Sequence, residues 1–253
     1  MVHRADVAAL HRQVGTENGM TRANRLLSLV SHLFSWAERE GLVPENHPNP
    51  ARRVLRFRER ARDRWLTPAE VRRMMHALEA EQNVYVRGFF WLSLLTGCRK
   101  RELLHVRWGE IDLESGLLRL NATKNGRTHY VPLAAPARRI LTQLPRAEGN
   151  PYVFVGRGQG EPLSVPTIDQ AWRRIRTTAG APDAWLHDLR RTVGSWLAQS
   201  GVSLHLIGHV LNHSSPVVTS VYARLANESA RAALERHAEA VLQVVAGSEA
   251  GGS

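Results

Sequence analysis

The stretch "VYVRGFFWLSLL", residues 84–95, most constrains how this chain can fold. It is apolar nearly all round a helix, and such a helix is stable in water only when other elements cover it on every side. Thr96 and Gly97 are predicted to end it, and a second helix is predicted from near Arg99. The chain must therefore fold around a buried central helix, and its 43% of apolar residues are enough for that core.

Helical spacing of apolar residues dominates the rest of the chain. It predicts four further helices, over 6–14, 22–40, 187–199 and 229–245. The segments "LLRL" and "HYVPL" are strand-like and flank "TKNGR", whose Asn-Gly pair signals a tight turn, so a hairpin is predicted over 117–133. The predicted fold class is mainly α with a small antiparallel β-sheet.

A boundary near residue 63 divides the chain into two predicted domains, 1–63 and 64–253. Thr67 as N-cap, Pro68 at the first helical position and Glu70 closing a capping box mark the start of a new unit. Before that start, seven arginines fall between residues 52 and 64, which is typical either of a solvated linker or of a segment lying along a phosphate backbone. The candidate DNA contacts in this segment are Arg52, Arg53, Arg56 and Arg58.

The amino-acid composition of the chain limits the kinds of partner that it can bind. With 34 basic and 23 acidic residues, the net charge of +11 favours a polyanion, most often nucleic acid, although an anionic membrane surface would also attract it. No apolar run is long enough to span a bilayer and no charged-then-apolar leader is present, so a soluble cytoplasmic protein is expected. The single cysteine, Cys98, lies in an apolar run and is expected to be a small buried hydrophobe.

Lysine is rare in this arginine-rich chain, where only Lys100 and Lys124 occur among the 34 basic residues. High-GC coding would account for the excess of arginine. Against that background a lysine marks a place where arginine cannot serve, because a lysine can be tuned to release its proton near neutral pH and an arginine cannot.

Four segments together carry the residue types that attack on a phosphodiester needs without a metal. They are "TGCRKRELL" with Arg99, "TKNGR" with Lys124, "HDLRR" with His187 and Arg190, and "NHSSPVVTSVY" with His213 and Tyr222. Taken singly, each residue has a structural explanation as a surface charge, a capping histidine or a packed ring. As a set, two guanidinium groups can hold the non-bridging oxygens, a tyrosine can attack, and a lysine can protonate the leaving oxygen.

These segments resemble the motifs of the tyrosine recombinase (phage integrase) family. The matches are TG-x-R-x-x-E-L at residues 96–103, the hairpin lysine Lys124, H-x-x-R-R/H-T at 187–192, and L-G-H-S-S at 211–215 with Tyr222 nine positions beyond the histidine. The resemblance runs in order from about residue 64 to 225. A type IB topoisomerase also uses a tyrosine with Arg, Lys and His, but the His-x-x-Arg motif favours a recombinase.

The resemblance implies a site-specific recombinase that cuts and rejoins DNA through a 3′-phosphotyrosyl intermediate. Tyr222 is the implied nucleophile, Arg99 and Arg190 clamp the scissile phosphate, Lys124 is the general acid, and His213 hydrogen-bonds the phosphate. No metal or nucleotide cofactor is required. The implied partners are duplex DNA and further copies of the chain, with a tetramer in the active complex, in a bacterial, DNA-associated setting.

The resemblance also implies supporting residues and shows departures. His187 assists proton transfer, Glu102 supports the site, and Arg191 is a further candidate DNA contact. Asn212 stands where the family usually has Gly. Asparagine is the residue other than glycine that a left-handed turn tolerates best. Residues 1–50 resemble only the second half of the family's core-binding domain, so an inactive integrase remnant is an alternative.

Two other functions are consistent with parts of the sequence. Residues 187–211 form a predicted helix, a short turn and a short helix, which imitates the helix-turn-helix of a non-catalytic DNA-binding regulator. His205, His209 and His213 at i, i+4 and i+8 would suit a metal site.

Two hypotheses concern the C-terminal part of the chain. Ser215 and Pro216 are predicted to open a helix carrying Tyr222, and its β-branched residues favour a segment, 216–224, that docks only on DNA. The last helix, after residue 229, either packs into a neighbouring subunit or folds back on its own domain.

Overall fold

The structure is a computed structural model that describes residues 2–59, 62, 64–121, 128–212 and 223–247, with only the backbone for 223–229. The chain divides into two compact units, Met1–Arg62 and Asp63–Ser253. Among the described residues, no helix is long and apolar enough to cross a membrane.

The first unit is built on two helices, α1 (Arg4–Asn18) and α2 (Met20–Arg39), which pack against each other. Gly19 joins them at a φ of 92°, a conformation that a side chain would disfavour. The small core of this unit contains Val7, Leu27 and Ala51. Both predicted helices are therefore present, and α1 is longer at each end than the predicted 6–14.

The arginine-rich segment is held against these helices as far as residue 59. The Asn24 side chain accepts a hydrogen bond from the Phe57 amide (3.0 Å) and donates to the Phe57 carbonyl (2.9 Å). The Phe57 ring stacks on His11 with centroids 4.5 Å apart. This part of the segment thus belongs to the first unit and is not a solvated linker.

The second unit contains eight α-helices and one short 3-10 helix (Trp108–Glu110) in its described part. The α-helices are α3 (Pro68–Glu79), α4 (Val84–Thr96), α5 (Lys100–Leu104), α6 (Ala135–Gln143), α7 (Val165–Thr178), α8 (Leu186–Gln199), α9 (Leu204–Val210) and α10 (Ala223–Ala246). Helix α4 is the predicted central helix, and it contacts α5, α6, α8 and α10. Cys98, just beyond it, is buried as predicted, and burial raises the pKa of its thiol to about 11.

A three-stranded antiparallel sheet completes the second unit. Its strands are β1 (Ile111–Asp112), β2 (Leu117–Leu120) and β3 (His129–Pro132), in that order. The pairing of β2 with β3 matches the predicted hairpin, and its register places Leu120 opposite His129. The Asn-Gly turn lies outside the described residues. The predicted fold class, mainly helical with a small antiparallel sheet, is confirmed.

Helix α10 folds back on its own unit. Ala230, Ala233, Leu234, Ala238 and Val241 along it are all fully buried. The helix begins at Ala223, six residues before the predicted start, and it packs on α3, α4, α8, α9 and β3. Of the two alternatives for this helix, the structure shows the one in which it covers its own domain.

Candidate active site

Arg99 lies at the junction between α4 and α5, where the chain makes a tight turn. Gly97 ends α4 at a φ of 66°, and a Cβ there would lie 2.6 Å from the side chain of Leu211. Arg99 is then the N-cap of α5. Its Nη1 donates to Glu102 Oε1 at 2.8 Å, and its amide donates to Glu102 Oε2 at 3.2 Å. Glu102 therefore fixes the orientation of the Arg99 guanidinium, as a supporting residue would.

Arg190 comes from the first half of α8 and is buried, with 6% of its surface exposed. Its Nη1 donates to the Gly97 carbonyl at 2.6 Å, and its Nη2 donates to the Leu211 carbonyl. Burial, followed by the nearby charge of Arg99, lowers its pKa to about 10. The guanidinium is therefore still charged at neutral pH, in surroundings from which water is largely excluded.

The two arginines meet at the carboxyl end of α9. Arg99 Nη2 donates to the Asn212 carbonyl at 2.8 Å, next to the Leu211 carbonyl that Arg190 holds. The last carbonyls of a helix lack partners within the helix and carry partial negative charge, so they attract cationic donors. Asn212 has a φ of 48°, so the prediction that asparagine serves here in a left-handed turn is confirmed.

His187 stands one helical turn before Arg190 on α8 and is exposed to solvent. Its pKa is lowered, first by partial desolvation and then by the charges of Arg191, Arg190 and Arg99, which outweigh Asp188. The neutral imidazole is consequently the main form at pH 7. It can accept a proton beside the two arginines.

The two lysines differ in what the structure shows. Lys100 Nζ is held by both oxygens of Asp169, at 2.8 and 3.1 Å. The ammonium of Lys100 is thus engaged in an ion pair with Asp169. Lys124 lies outside the described residues.

Arg191, predicted as a DNA contact, is paired with Asp188. Its Nη1 donates to Asp188 Oδ1 at 2.7 Å. The Asp188 carboxylate is fully buried and also accepts the Trp185 amide at 2.8 Å, where it caps α8. Asp188 is thus a supporting residue that the motif analysis missed. An acidic residue in the first turn of a predicted helix was the available signal.

Replacing Asp188 with alanine should destabilise the second unit by about 3 kcal/mol, because Arg191 and the α8 cap both lose a buried partner. Asp169→Ala is the matched control, since Asp169 is 38% exposed in its pair with Lys100 and its loss should cost at most about 1 kcal/mol. Urea unfolding of both variants measures the difference. If both variants lose the same free energy of unfolding, the buried pair of Asp188 with Arg191 stabilises the fold no more than the exposed pair does.

The remaining candidates fall in two groups. His213 and Tyr222 lie outside the described residues, as does the hypothesised docking segment 216–224 as far as residue 222. The predicted DNA contacts Arg52, Arg53, Arg56 and Arg58 lie in the first unit and are all exposed. Within the described ranges, no group of three or more His, Cys, Asp or Glu residues is placed to hold a metal ion.

A basic cavity opens beside Arg99. Its volume is about 740 Å³, and its lining includes Arg101, Arg107 and Tyr152 together with Arg99 and Glu102. Glu102 pairs with Arg99, and Glu110, which also lines the cavity, interacts electrostatically with Arg107, so the three arginines exceed the carboxylates by one. The guanidinium of Arg107 lies over the Tyr152 ring, 5.2 Å from its centroid. The sequence motifs did not single out Arg101 or Arg107.

Residues 64–229 match the sequence model of the phage integrase family, which covers more than half of the chain. The chain belongs to the phage integrase family. It is 31% identical over 79% of its length to a shufflon-specific DNA recombinase of Escherichia coli, and 30% identical over 89% to the prophage integrase IntZ of Escherichia coli strain K12. It spans 50% and 57% of the lengths of these relatives.

A solved structure supports the same fold for this family member. This chain superposes on one chain of a lambda integrase tetramer bound to a Holliday junction. The TM-score is 0.67 at 22% identity, and the match covers 87% of this chain and 66% of that one. The identity is low, so the likeness concerns the fold. The match includes most of the described residues of the chain.

Proposed function

We propose that this chain is a site-specific DNA recombinase or integrase that cuts and rejoins DNA strands through a 3′-phosphotyrosyl intermediate. One observation carries the proposal. Arg99 and Arg190, which are far apart in sequence, hold adjacent carbonyls at the end of α9, with His187 beside them. The chain continues from that point directly into His213 and, nine residues later, Tyr222.

The arginine pair suits a phosphate that gains charge during reaction. Within the described residues, each guanidinium uses two of its five N–H donors on the protein. The other donors are available to the non-bridging oxygens of a phosphodiester. Fixed donors in a site of low water content stabilise the developing charge without having to reorganise. This role needs no metal ion.

The proposed reaction conserves the energy of the phosphodiester. The Tyr222 hydroxyl attacks the phosphorus and transfers its proton towards His187, while the bond to the 5′ oxygen breaks and that oxygen takes a proton from Lys124. The product is a phosphotyrosyl ester on the 3′ end of the cut strand. A free 5′ hydroxyl can reverse the step, so the strands are rejoined without ATP.

The proposed partners are duplex DNA and other copies of the chain. Three arginines of the second unit line a cavity next to the site, and the basic segment of the first unit exposes four more. We propose the first unit as a partial core-binding domain. Lambda integrase has been solved as a dimer on a core site and as a tetramer on a Holliday junction, which supports self-association of this chain on DNA, with a tetramer as the active form.

DNA affinity should fall about 100-fold or more between roughly 50 and 200 mM salt, because phosphate contacts release counterions. Changing the four exposed arginines of the basic segment to glutamine should reduce the slope of log K against log salt by about 3 to 4. Those residues are Arg52, Arg53, Arg56 and Arg58. A charge-matched control changes four exposed arginines on α1 and α2, namely Arg4, Arg12, Arg22 and Arg39. If both variants lose the same amount of slope, the phosphate contacts cannot be assigned to the basic segment.

The function is tested by trapping its intermediate. The protein is incubated with a pool of nicked duplexes in which cleavage releases a short fragment, so that the reverse step is lost. We expect protein–DNA adducts that survive denaturant, and sequencing the trapped DNA then identifies the site. Salt-sensitive binding without any adduct would contradict the proposal and favour a DNA-binding regulator or an inactive remnant.

A further inference from the structure

Helix α2 carries a row of polar side chains on one face. Its members recur at intervals of four, three and four residues, which is the spacing of one side of a helix, and they are Asn24, Ser28, Ser31 and Ser35. Asn24 is buried, with 3% of its surface exposed. A buried polar group is expected to have hydrogen-bond partners, so this polar stripe of α2 requires an element that covers it.

The partners of the polar stripe lie in and next to the basic segment. Asn49 Nδ2 donates to the Ser31 carbonyl at 2.9 Å and lies 3.3 Å from the Oγ atoms of both Ser31 and Ser35. Arg56 Nη2 donates to Ser28 Oγ at 2.8 Å. Later residues of the segment therefore contact earlier residues of α2, so the segment runs antiparallel to the helix.

Asn24 holds the far end of the segment. Its Oδ1 accepts the Phe57 amide at 3.0 Å and a further hydrogen bond from His11 Nε2 at 3.0 Å. Its Nδ2 donates to the Phe57 carbonyl at 2.9 Å and to the Glu59 carboxylate at 2.7 Å. Because both the amide and the carbonyl of Phe57 are bound to one buried side chain, the backbone at this residue has a single position.

Helix α1 leaves room for the Phe57 ring at Gly15. A Cβ at Gly15 would lie 2.4 Å from the ring, so any other residue there would displace it. Glycine lowers the stability of a helix interior relative to alanine. The packing of Phe57 therefore explains why α1 carries a glycine at this position.

The docked segment keeps its charges at the surface. Its four arginines are exposed, whereas the backbone that carries them is bound to α2 at Asn49 and at Phe57. A free basic linker loses backbone and side-chain freedom when it binds DNA, and that loss weakens binding. A segment that is ordered beforehand avoids most of this cost.

We propose that the polar stripe of α2 holds the basic segment as a preformed phosphate-binding ridge, with Asn24 as the positioning residue. This inference rests on the proposed function, because the ligand is the backbone of duplex DNA. The arginines contact the phosphates, and Asn24 acts only through them.

A double-mutant cycle tests the role of Asn24. Asn24→Leu keeps a side chain of similar size but removes the hydrogen bonds to Phe57 and Glu59. We expect it to weaken the binding of a duplex at fixed salt about 10-fold or more. In a chain whose four basic-segment arginines are changed to glutamine, the same substitution should weaken binding less than about twofold. A role in stability alone would give equal losses in both backgrounds.

Two further variants complete the design. Gly15→Ala displaces the Phe57 ring while favouring the α1 helix, so it provides the comparison if Asn24→Leu does not fold. It should also weaken DNA binding only when the arginines are present. Asn18→Leu changes an exposed asparagine on α1 and should leave the affinity unchanged.

Hydrogen exchange at the Phe57 amide measures the docking itself, without DNA. This amide should be protected in the free wild-type protein, because it donates to a buried side chain. We expect the protection to be lost in Asn24→Leu and in Gly15→Ala.

Each contrary outcome has a definite meaning. Equal loss of affinity in the two backgrounds, or no loss in either, would overturn the inference. A Phe57 amide that exchanges in the free wild type as fast as in an unfolded chain would also overturn it. If wild type does not bind duplex DNA, it is the proposed function that fails, and the Phe57 amide still decides whether the segment is docked.

Discussion

Tyr222→Phe should abolish covalent adduct formation altogether while leaving DNA binding nearly unchanged. Phenylalanine keeps the aromatic ring but has no hydroxyl to attack phosphorus, and a covalent mechanism has no second route to the same ester. The measurement is gel detection of denaturant-resistant protein–DNA adducts on the nicked duplex pool, beside a binding titration at fixed salt.

Tyr130→Phe is the matched control for this experiment. Tyr130 lies on β3 and is 44% exposed, so the loss of its hydroxyl should alter neither the adduct yield nor the affinity. Adducts that persist in Tyr222→Phe would assign the nucleophile to another residue. Loss of adducts in both variants would point to a general effect of handling or folding.

Arg190→Lys should reduce the rate of strand cleavage by about 100- to 1000-fold, the usual effect of removing a preorganised donor from a site of charge development. A lysine ammonium cannot span the Gly97 and Leu211 carbonyls and also present a planar fork to a phosphate. The positive charge is kept, so DNA affinity should change far less than the rate. Single-turnover adduct formation at saturating protein measures the rate without the binding step.

Arg173→Lys serves as the control for this substitution. Arg173 is exposed on α7, and its replacement should leave the rate unchanged. The melting temperature of Arg190→Lys must also be recorded, because Arg190 is buried. A folded Arg190→Lys that cleaves at the wild-type rate would remove Arg190 from the site.

Local sequence patterns predicted the framework of the second unit. The apolar run 84–95 gave the central helix because an all-round apolar surface leaves no alternative to burial. Thr67 and Glu70 form the predicted capping box, with the Glu70 amide donating to Thr67 Oγ1. Both strands of the hairpin formed because alternating residues and a turn signal are short-range features.

Elements with weaker local signals were missed. Helices α6 and α7 each carry a proline in the first turn, and Ser164 caps α7, but these signals were not recognised. Strand β1 has only two residues, too few for any periodicity. The start of α10 was placed too late because its first residues lack a strong apolar repeat.

The candidate site was predictable as a set of side chains but not as a geometry. Arg99 and Arg190 stand out in sequence by their motifs, whereas the acceptors that bring them together are backbone carbonyls of Leu211 and Asn212. Every residue has such a carbonyl, so no sequence pattern could identify them. Asp188 escaped notice for a similar reason, because it acts through contacts to Arg191 and to the Trp185 amide that only the folded chain creates.

The most direct test of the account is to identify the bond in the trapped adduct. The adduct is digested with a protease and a nuclease, and the peptide carrying the nucleotide is sequenced by mass spectrometry. We expect a single modified peptide, with Tyr222 esterified to a 3′ phosphate. A 5′ linkage, or attachment to any other residue, would contradict it.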